Sequence, residues 1–354
     1  MFRKHLIFCA LWVSFILLIA SCSGKSSTEQ ATATNDTNPA DTVSNSALRQ
    51  IEASPALQQL TRELQKDSTN AQIWFARGNM YLQANVPEKA AQDFARALLN
   101  DSTNAAYYLA LADLYFDVEN MKDAIAVLEK GLSLTPDEPE IMRELGKYYY
   151  YLTDYKRADE LFQKTEKLDP RGPATAFWQA MSLRDQQKND QALKLMEKAV
   201  ELDPEYYDAV IMLAQMYAER KDNRALTNYS KVLAIDSTSA EALYGKAMFY
   251  QNTNQADKAL TEYKKIVAVD RNFTDAYYNM GFIYYNQKNY AKARDHFNMA
   301  IAVKPTMGKA YFMRGQCAEK LNDLASARRD YIQALNFLPN EPEIETALNK
   351  IQDK

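Results

Sequence analysis

A period of 34 residues runs through most of this 354-residue chain. Segments starting at Ala71, Ala105, Pro139, Pro173, Tyr207, Ala240, Thr274 and Gly308 place an alanine in one column: Ala90, Ala124, Ala158, Ala192, Ala225, Ala259, Ala293 and Ala327. About twelve residues earlier runs a second small column: Gly78, Ala112, Gly146, Ala180, Ala214, Ala247, Gly281 and Gly315. Four residues after each alanine stands a bulky apolar residue: Phe94, Leu128, Phe162, Met196, Tyr229, Tyr263, Phe297 and Tyr331. Such a period means that one small unit, unable to bury its apolar face alone, is stacked many times.

Each unit reads as two amphipathic helices, A and B, joined by a polar turn. In the first, Ile73, Trp74, Phe75, Tyr81 and Leu82 mark helix A, Gln83 to Lys89 the turn, and Ala90, Phe94 and Ala97 the helix B face. The small columns imply a close A–B crossing that a larger side chain would force apart. The bulky residue then fills the seam with the next unit. Tyrosine recurs at Tyr81, Tyr115, Tyr149, Tyr217, Tyr250 and Tyr284, with Leu183 and Ala318 as departures. Units close on Pro136, Pro170, Pro204, Pro305 and Pro339, or on Asp-Ser-Thr turns at Asp101 and Asp236. Unit five is one residue short between Tyr217 and Ala225 and should turn more tightly.

The period and its small, small and bulky places resemble the tetratricopeptide repeat (TPR). That resemblance covers residues 71–341 and implies an all-α, right-handed α-solenoid of about eight helix-turn-helix repeats. Capping helices are expected at both ends, since an exposed end needs a polar outer face. In residues 47–70, Ser54-Pro55 starts a helix, and Ala56 and Leu60 sit one period before Ala90 and Phe94. The helix is therefore expected to mimic a helix B whose helix A is absent. Over residues 342–354, Pro342 opens a last helix with Ile344, Ala347, Leu348 and Ile351 on one face.

The first residues set an address. Arg3, Lys4 and His5 precede the apolar run Leu6 to Ala20, and Ser21-Cys22 follows. This is the plan of a secretory signal, residues 1–21, and the run falls short of the roughly 20 residues of a comfortable membrane span. Leu18 to Cys22 resembles the lipobox of bacterial lipoproteins, which implies lipidation at Cys22. Residues 22–46 beyond that cysteine lack aromatic side chains and read as a disordered tether. No aspartate follows the cysteine, and by that resemblance the outer membrane is favoured, with the chain facing the periplasm.

The chain carries 42 basic and 46 acidic side chains, a net charge of −4. Without residues 1–21, and so without Arg3 and Lys4, 40 basic side chains face 46 acidic ones. That balance argues against nucleic-acid partners, which need a basic face. Chemistry is sparse as well. His296 reads as a lone surface histidine, Cys317 as a small buried apolar residue, and no glycine-rich phosphate loop occurs. Neither a cofactor nor a metal is expected, and catalysis is not the expected task.

In the TPR family the second, fifth, ninth, twelfth and thirteenth places of helix A line the concave surface. Carried onto this sequence, those places imply a groove formed by Phe75, Asn79, Phe116, Arg143, Lys147, Tyr150, Phe177, Arg184, Tyr244, Tyr278, Phe282, Tyr285 and Phe312. Rings dominate, and rings supply interface anchors. Some TPR proteins grip a C-terminal carboxylate with lysine, asparagine and arginine; Phe75 and Ala110 stand at two of those places, so an extended or helical segment with apolar anchors is expected instead. The reading is a lipid-anchored scaffold that binds protein or peptide partners of the cell envelope in this groove. Its rivals are a fixed subunit of one envelope assembly, bound along the convex side or ends, and a glycan-binding protein or enzyme.

Overall fold

The computed structural model describes residues 39–352. The signal segment, Cys22 and the first part of the tether lie outside the described residues. Nineteen helices and no strand are found among the described residues. Two precede the repeats, α1 (Pro39–Glu52) and α2 (Pro55–Lys66). Eight A–B pairs follow: α3 (Ala71–Gln83) with α4 (Pro87–Asn100), α5 (Ala105–Asp117) with α6 (Met121–Leu134), α7 (Pro139–Tyr151) with α8 (Tyr155–Leu168), and α9 (Pro173–Asp185) with α10 (Asn189–Leu202). The second half holds α11 (Tyr207–Glu219) with α12 (Arg224–Ile235), α13 (Ala240–Asn252) with α14 (Ala256–Val269), α15 (Thr274–Asn286) with α16 (Tyr290–Val303), and α17 (Gly308–Lys320) with α18 (Leu324–Phe337). Helix α19 (Pro342–Gln352) closes the stack. Every helix A starts at the residue where its 34-residue unit was set to begin. The first turn is shorter than the expected Gln83 to Lys89, because Pro87 already opens α4.

All eight column alanines are fully buried. The bulky column lies across the small one within the same repeat: a Cβ built on Gly78, Gly146, Gly281 or Gly315 would sit 2.7–2.8 Å from a ring carbon of Phe94, Phe162, Phe297 or Tyr331. The bulky residue therefore packs first against its own helix A. Tyr229 also fills the expected seam, with its ring against Gly245 of the next repeat. A-helices of adjacent repeats touch (α5 on α7, α7 on α9, α11 on α13, α15 on α17), and no two B-helices approach as closely. The A-helices thus form the inner, concave side.

Each A–B turn contains one residue in the left-handed region: Asn85, Glu119, Thr153, Gln187, Lys221, Asn254, Lys288 and Asn322, with φ between 55° and 63°. The following N–H then donates back to the carbonyl of the tyrosine column, as from Asp154 to Tyr149 at 2.9 Å and from Asp222 to Tyr217 at 2.9 Å. This is Schellman-type closure of helix A, which needs a left-handed residue but not a particular side chain. Leu183 and Ala318 accept in the same way, so missing tyrosines leave the turn intact. In repeat five the lost residue falls after Lys221, and it shortens α12 to 12 residues against the usual 14.

Three expectations need correction at the N-terminal end. Helix α1 begins at Pro39, inside the segment expected to be a tether to residue 46. It stands one period before α3 and touches it, so it occupies the helix A place that was expected to be absent. Ser54 caps α2 as expected, accepting from the Leu57 N–H at 3.3 Å. However, the buried face of α2 is Leu57 and Leu64, while Ala56 is exposed and Leu60 half-buried. The reason is that α1 pairs only loosely with α2, and no close crossing forms over Ala56.

His296 is also misplaced as a surface histidine. It is half-buried and stacks on Tyr284, with ring centroids 5.2 Å apart and planes 10° off parallel. Its Nδ1 is buried without a hydrogen-bond partner. Cys317 is fully buried, and burial pushes its thiol up to about 12. At neutral pH it stays protonated and packs as a small apolar side chain.

Candidate protein-binding groove

The predicted groove residues divide into a wall that is packed and a floor that is open. Phe177 is only 2% exposed, wedged against Trp178 and Tyr206 with centroids 5.2 and 5.3 Å away. It is a core residue, and its expected role as an exposed ring is corrected. Tyr150 is buried too, with its hydroxyl donating to Asp185 at 2.7 Å. Phe75 packs on Phe94 and Tyr107, Tyr278 on Phe297, Tyr285 on Tyr290 and Phe312 on Tyr331. Tyr244 lies against Phe273 and accepts from the Asn279 side chain at 3.2 Å. All five are half-buried, as is Asn79, so each shows the groove an edge rather than a whole ring. Phe282 remains open, 37% exposed.

The richest part of the floor runs across repeats two to four. Phe116 stacks on Tyr148 (5.2 Å, 3°) and meets Tyr151 at 5.5 Å; Tyr151 meets Trp178 edge-on at 5.8 Å. Tyr151 is 41% exposed and forms the accessible crest of this run. Trp178 was missed by the sequence reading, because it occupies the sixth place of its repeat. Of the four successive tyrosines Tyr148 to Tyr151, the structure buries the first three and exposes the fourth.

Charge is interleaved with these rings. Glu144 holds Lys147 at 2.8 Å and lies 3.9 Å from Arg143, while Arg184 lies 3.6 Å from Asp185. Burial works against the Lys147 ammonium, but Glu144 outweighs it and the pKa is raised. The same Nζ sits 5.8 Å from the Trp178 ring and 5.9 Å from Tyr148. The groove cations are therefore neutralised in place, which does not favour gripping a carboxylate. Asp113 accepts from the Tyr148 hydroxyl at 3.0 Å; crowding by the groove, then Glu144, raises its pKa. Near the C-terminal end, Phe312, Gln316, Pro342, Glu343 and Thr346 frame an open depression of about 410 Å³ between α17 and α19. Among the described residues no cluster of histidine, cysteine and carboxylates is arranged to hold a metal, and no helix is long and apolar enough to cross a membrane.

Comparison with known proteins bears on the repeat itself. Tetratricopeptide repeat models match residues 105–148, 183–224, 274–307 and 308–340, and a TPR repeat model matches 249–288, in sum just over half of the chain. The chain is 23% identical over 155 residues to anaphase-promoting complex subunit 3 of Schizosaccharomyces pombe. That match takes in 34% of this chain and 23% of that protein, so the chain spans about a quarter of its length. Among solved structures, the Cut9–Hcn1 hetero-tetramer of the same complex aligns over 84% of this chain and 58% of its own, at 15% identity and a TM-score of 0.49. PilW, a type IV pilus biogenesis factor, aligns over 59% of this chain and 98% of its own, at 18% identity and a TM-score of 0.49. With the period, the paired helices and the family matches in agreement, this chain belongs to the tetratricopeptide repeat proteins.

Proposed function

We propose that this protein is a lipid-anchored scaffold that binds segments of partner proteins in its concave groove and organises a complex in the cell envelope. The observation that carries the groove is the continuous run of rings from Phe116 through Tyr148 and Tyr151 to Trp178, open at Tyr151 and interleaved with charge. Exposed aromatic side chains in a concavity give large contact area at low entropic cost, which is the make-up of a binding hot spot. Anchoring rests on the lipobox-like Leu18 to Cys22, and the envelope setting rests on that anchor.

Crosslinking in membranes followed by pull-down tests the reading. A scaffold yields several sub-stoichiometric partners, and Tyr151→Ala with Phe282→Ala depletes them while the melting temperature holds. Normal recovery by that variant moves the site off the concave face. A second reading, a fixed subunit of one assembly, is favoured by a different feature. Leu134, Leu168, Ile235 and Val269 end α6, α8, α12 and α14 and are each 45–50% exposed, an apolar edge along the solenoid interrupted at α10 by the half-buried Leu202. One stoichiometric partner, lost when these are changed to serine, would favour it.

A further inference from the structure

Several carboxylates on the groove side have no cation of their own. Asp208, at the second place of its repeat, is half-buried, and burial alone raises its pKa, with no neighbouring charge offsetting it. Glu241 occupies the same place one repeat on; it is exposed, its nearest partner is neutral, the Gln215 amide at 2.8 Å, and Asp208 stands near it as a like charge. Asp275 continues the column in the next repeat. On the other side of the aromatic run stands Asp113, crowded by Glu144 and only partly answered by Lys147. The cations that could answer these groups, Arg143, Lys147 and Arg184, are already taken by Glu144 and Asp185. The rings between them accept a cation as they stand, since the Lys147 ammonium lies against Trp178 and Tyr148.

We propose that the groove from α5 to α15 takes an extended basic segment, with lysine or arginine side chains alternating with apolar anchors. This rests on the groove reading above and deepens it by naming the partner chemistry. Lysine or arginine would supply the missing counter-charge to Asp208, Glu241 and Asp113, and their stems would lie on the Tyr151 and Trp178 rings. The spacing is constrained as well. Neighbouring packed helices stand roughly 10 Å apart and an extended chain rises about 3.3 Å per residue, so basic residues about three apart would meet the Asp208–Glu241–Asp275 column repeat by repeat.

The test is fluorescence anisotropy with the full chain in detergent and two labelled peptides, one with lysine at every third place and leucine between, the other with glutamate replacing lysine. The lysine peptide should bind about tenfold or more tighter and weaken as salt is added. Asp208→Asn with Glu241→Gln should lower that binding by about tenfold while the melting temperature holds. Equal binding of both peptides, full binding by the neutralised variant, or no binding up to about 1 mM would overturn the inference. The two readings fail differently. If the glutamate peptide binds and Tyr151→Ala abolishes it, the groove stands and only the basic partner falls. If the lysine peptide binds and neither the acid nor the Tyr151 variants weaken it, the peptide sits elsewhere and the groove falls with it.

Discussion

Gly146 lies directly beneath the ring of Phe162: a Cβ on that glycine would meet Phe162 Cε1 at 2.7 Å. The ring is fully buried and has no room to retreat. Alanine suits a helix better than glycine by about 1 kcal/mol, yet here overpacking outweighs propensity. Gly146→Ala should therefore destabilise by roughly 1–2 kcal/mol. Adding Phe162→Leu copies the Ala112–Leu128 pair of the previous repeat and should restore part of the loss. Urea unfolding of both variants checks this; an equally unstable double variant would contradict the ring as the cause.

The alanine column makes a related contrast. Ala192 is fully buried, whereas Ala56, one repeat-place outside the array, is exposed. Ala192→Leu should cost roughly 1–3 kcal/mol, and Ala56→Leu should stay within about 0.5 kcal/mol. Comparable shifts in unfolding midpoint at both sites would remove the crossing as the explanation.

Thr153 is a β-branched residue held at φ 59°. That backbone region costs a non-glycine residue roughly 1–2 kcal/mol, part of which glycine gives back through its more flexible unfolded chain. Thr153→Gly is accordingly expected to raise stability, by about 0.5–1 kcal/mol. A measured loss would mean that the threonine side chain contributes contacts exceeding the backbone strain.

Both ends of the array carry the same ion pair. Arg77 grips Asp93 at 2.7 and 2.8 Å, and Arg314 grips Asp330 from the same places of the last repeat. In repeat two, Leu111 and Val127 stand there instead. Removing one partner strands a largely buried charge, so Asp330→Ala should cost about 2–3 kcal/mol. The paired change Arg314→Leu with Asp330→Val should come close to the parent, because an apolar pair needs no compensation. Thermal unfolding of the three proteins decides between the two outcomes.

His296 takes the Asp93 and Asp330 place in repeat seven, opposite Met280. Burial is the main cause that lowers its pKa, with Lys264 and Lys292 adding to it and Asp295 opposing. The unfolded chain then binds the proton more readily, so stability rises with pH. The contribution is complete above the unfolded value near 6.5 and is lost as pH falls through the lower folded value. Comparing urea midpoints of the parent and His296→Gln from pH 7.5 down to about pH 5 should show a steeper acid loss in the parent. Parallel curves would show that His296 does not titrate differently on folding.

The repeat boundaries and the core were legible because sterics act locally and recur. A close A–B crossing excludes large side chains at Gly146 or Ala192 wherever it occurs, so the sequence records it once per period. The left-handed turn column was not legible. Asn85, Glu119, Thr153 and Lys221 share no side-chain chemistry, since the Schellman hydrogen bonds run through backbone atoms alone. Groove exposure was legible only in part. Helical spacing assigns Phe177 and Phe282 to the same side of their helices, but Trp178 and Tyr206 bury the first while more than a third of the second stays open. Place along a helix is a property of the sequence; accessibility depends on what the neighbouring repeat brings alongside, and only the packed solenoid decides that.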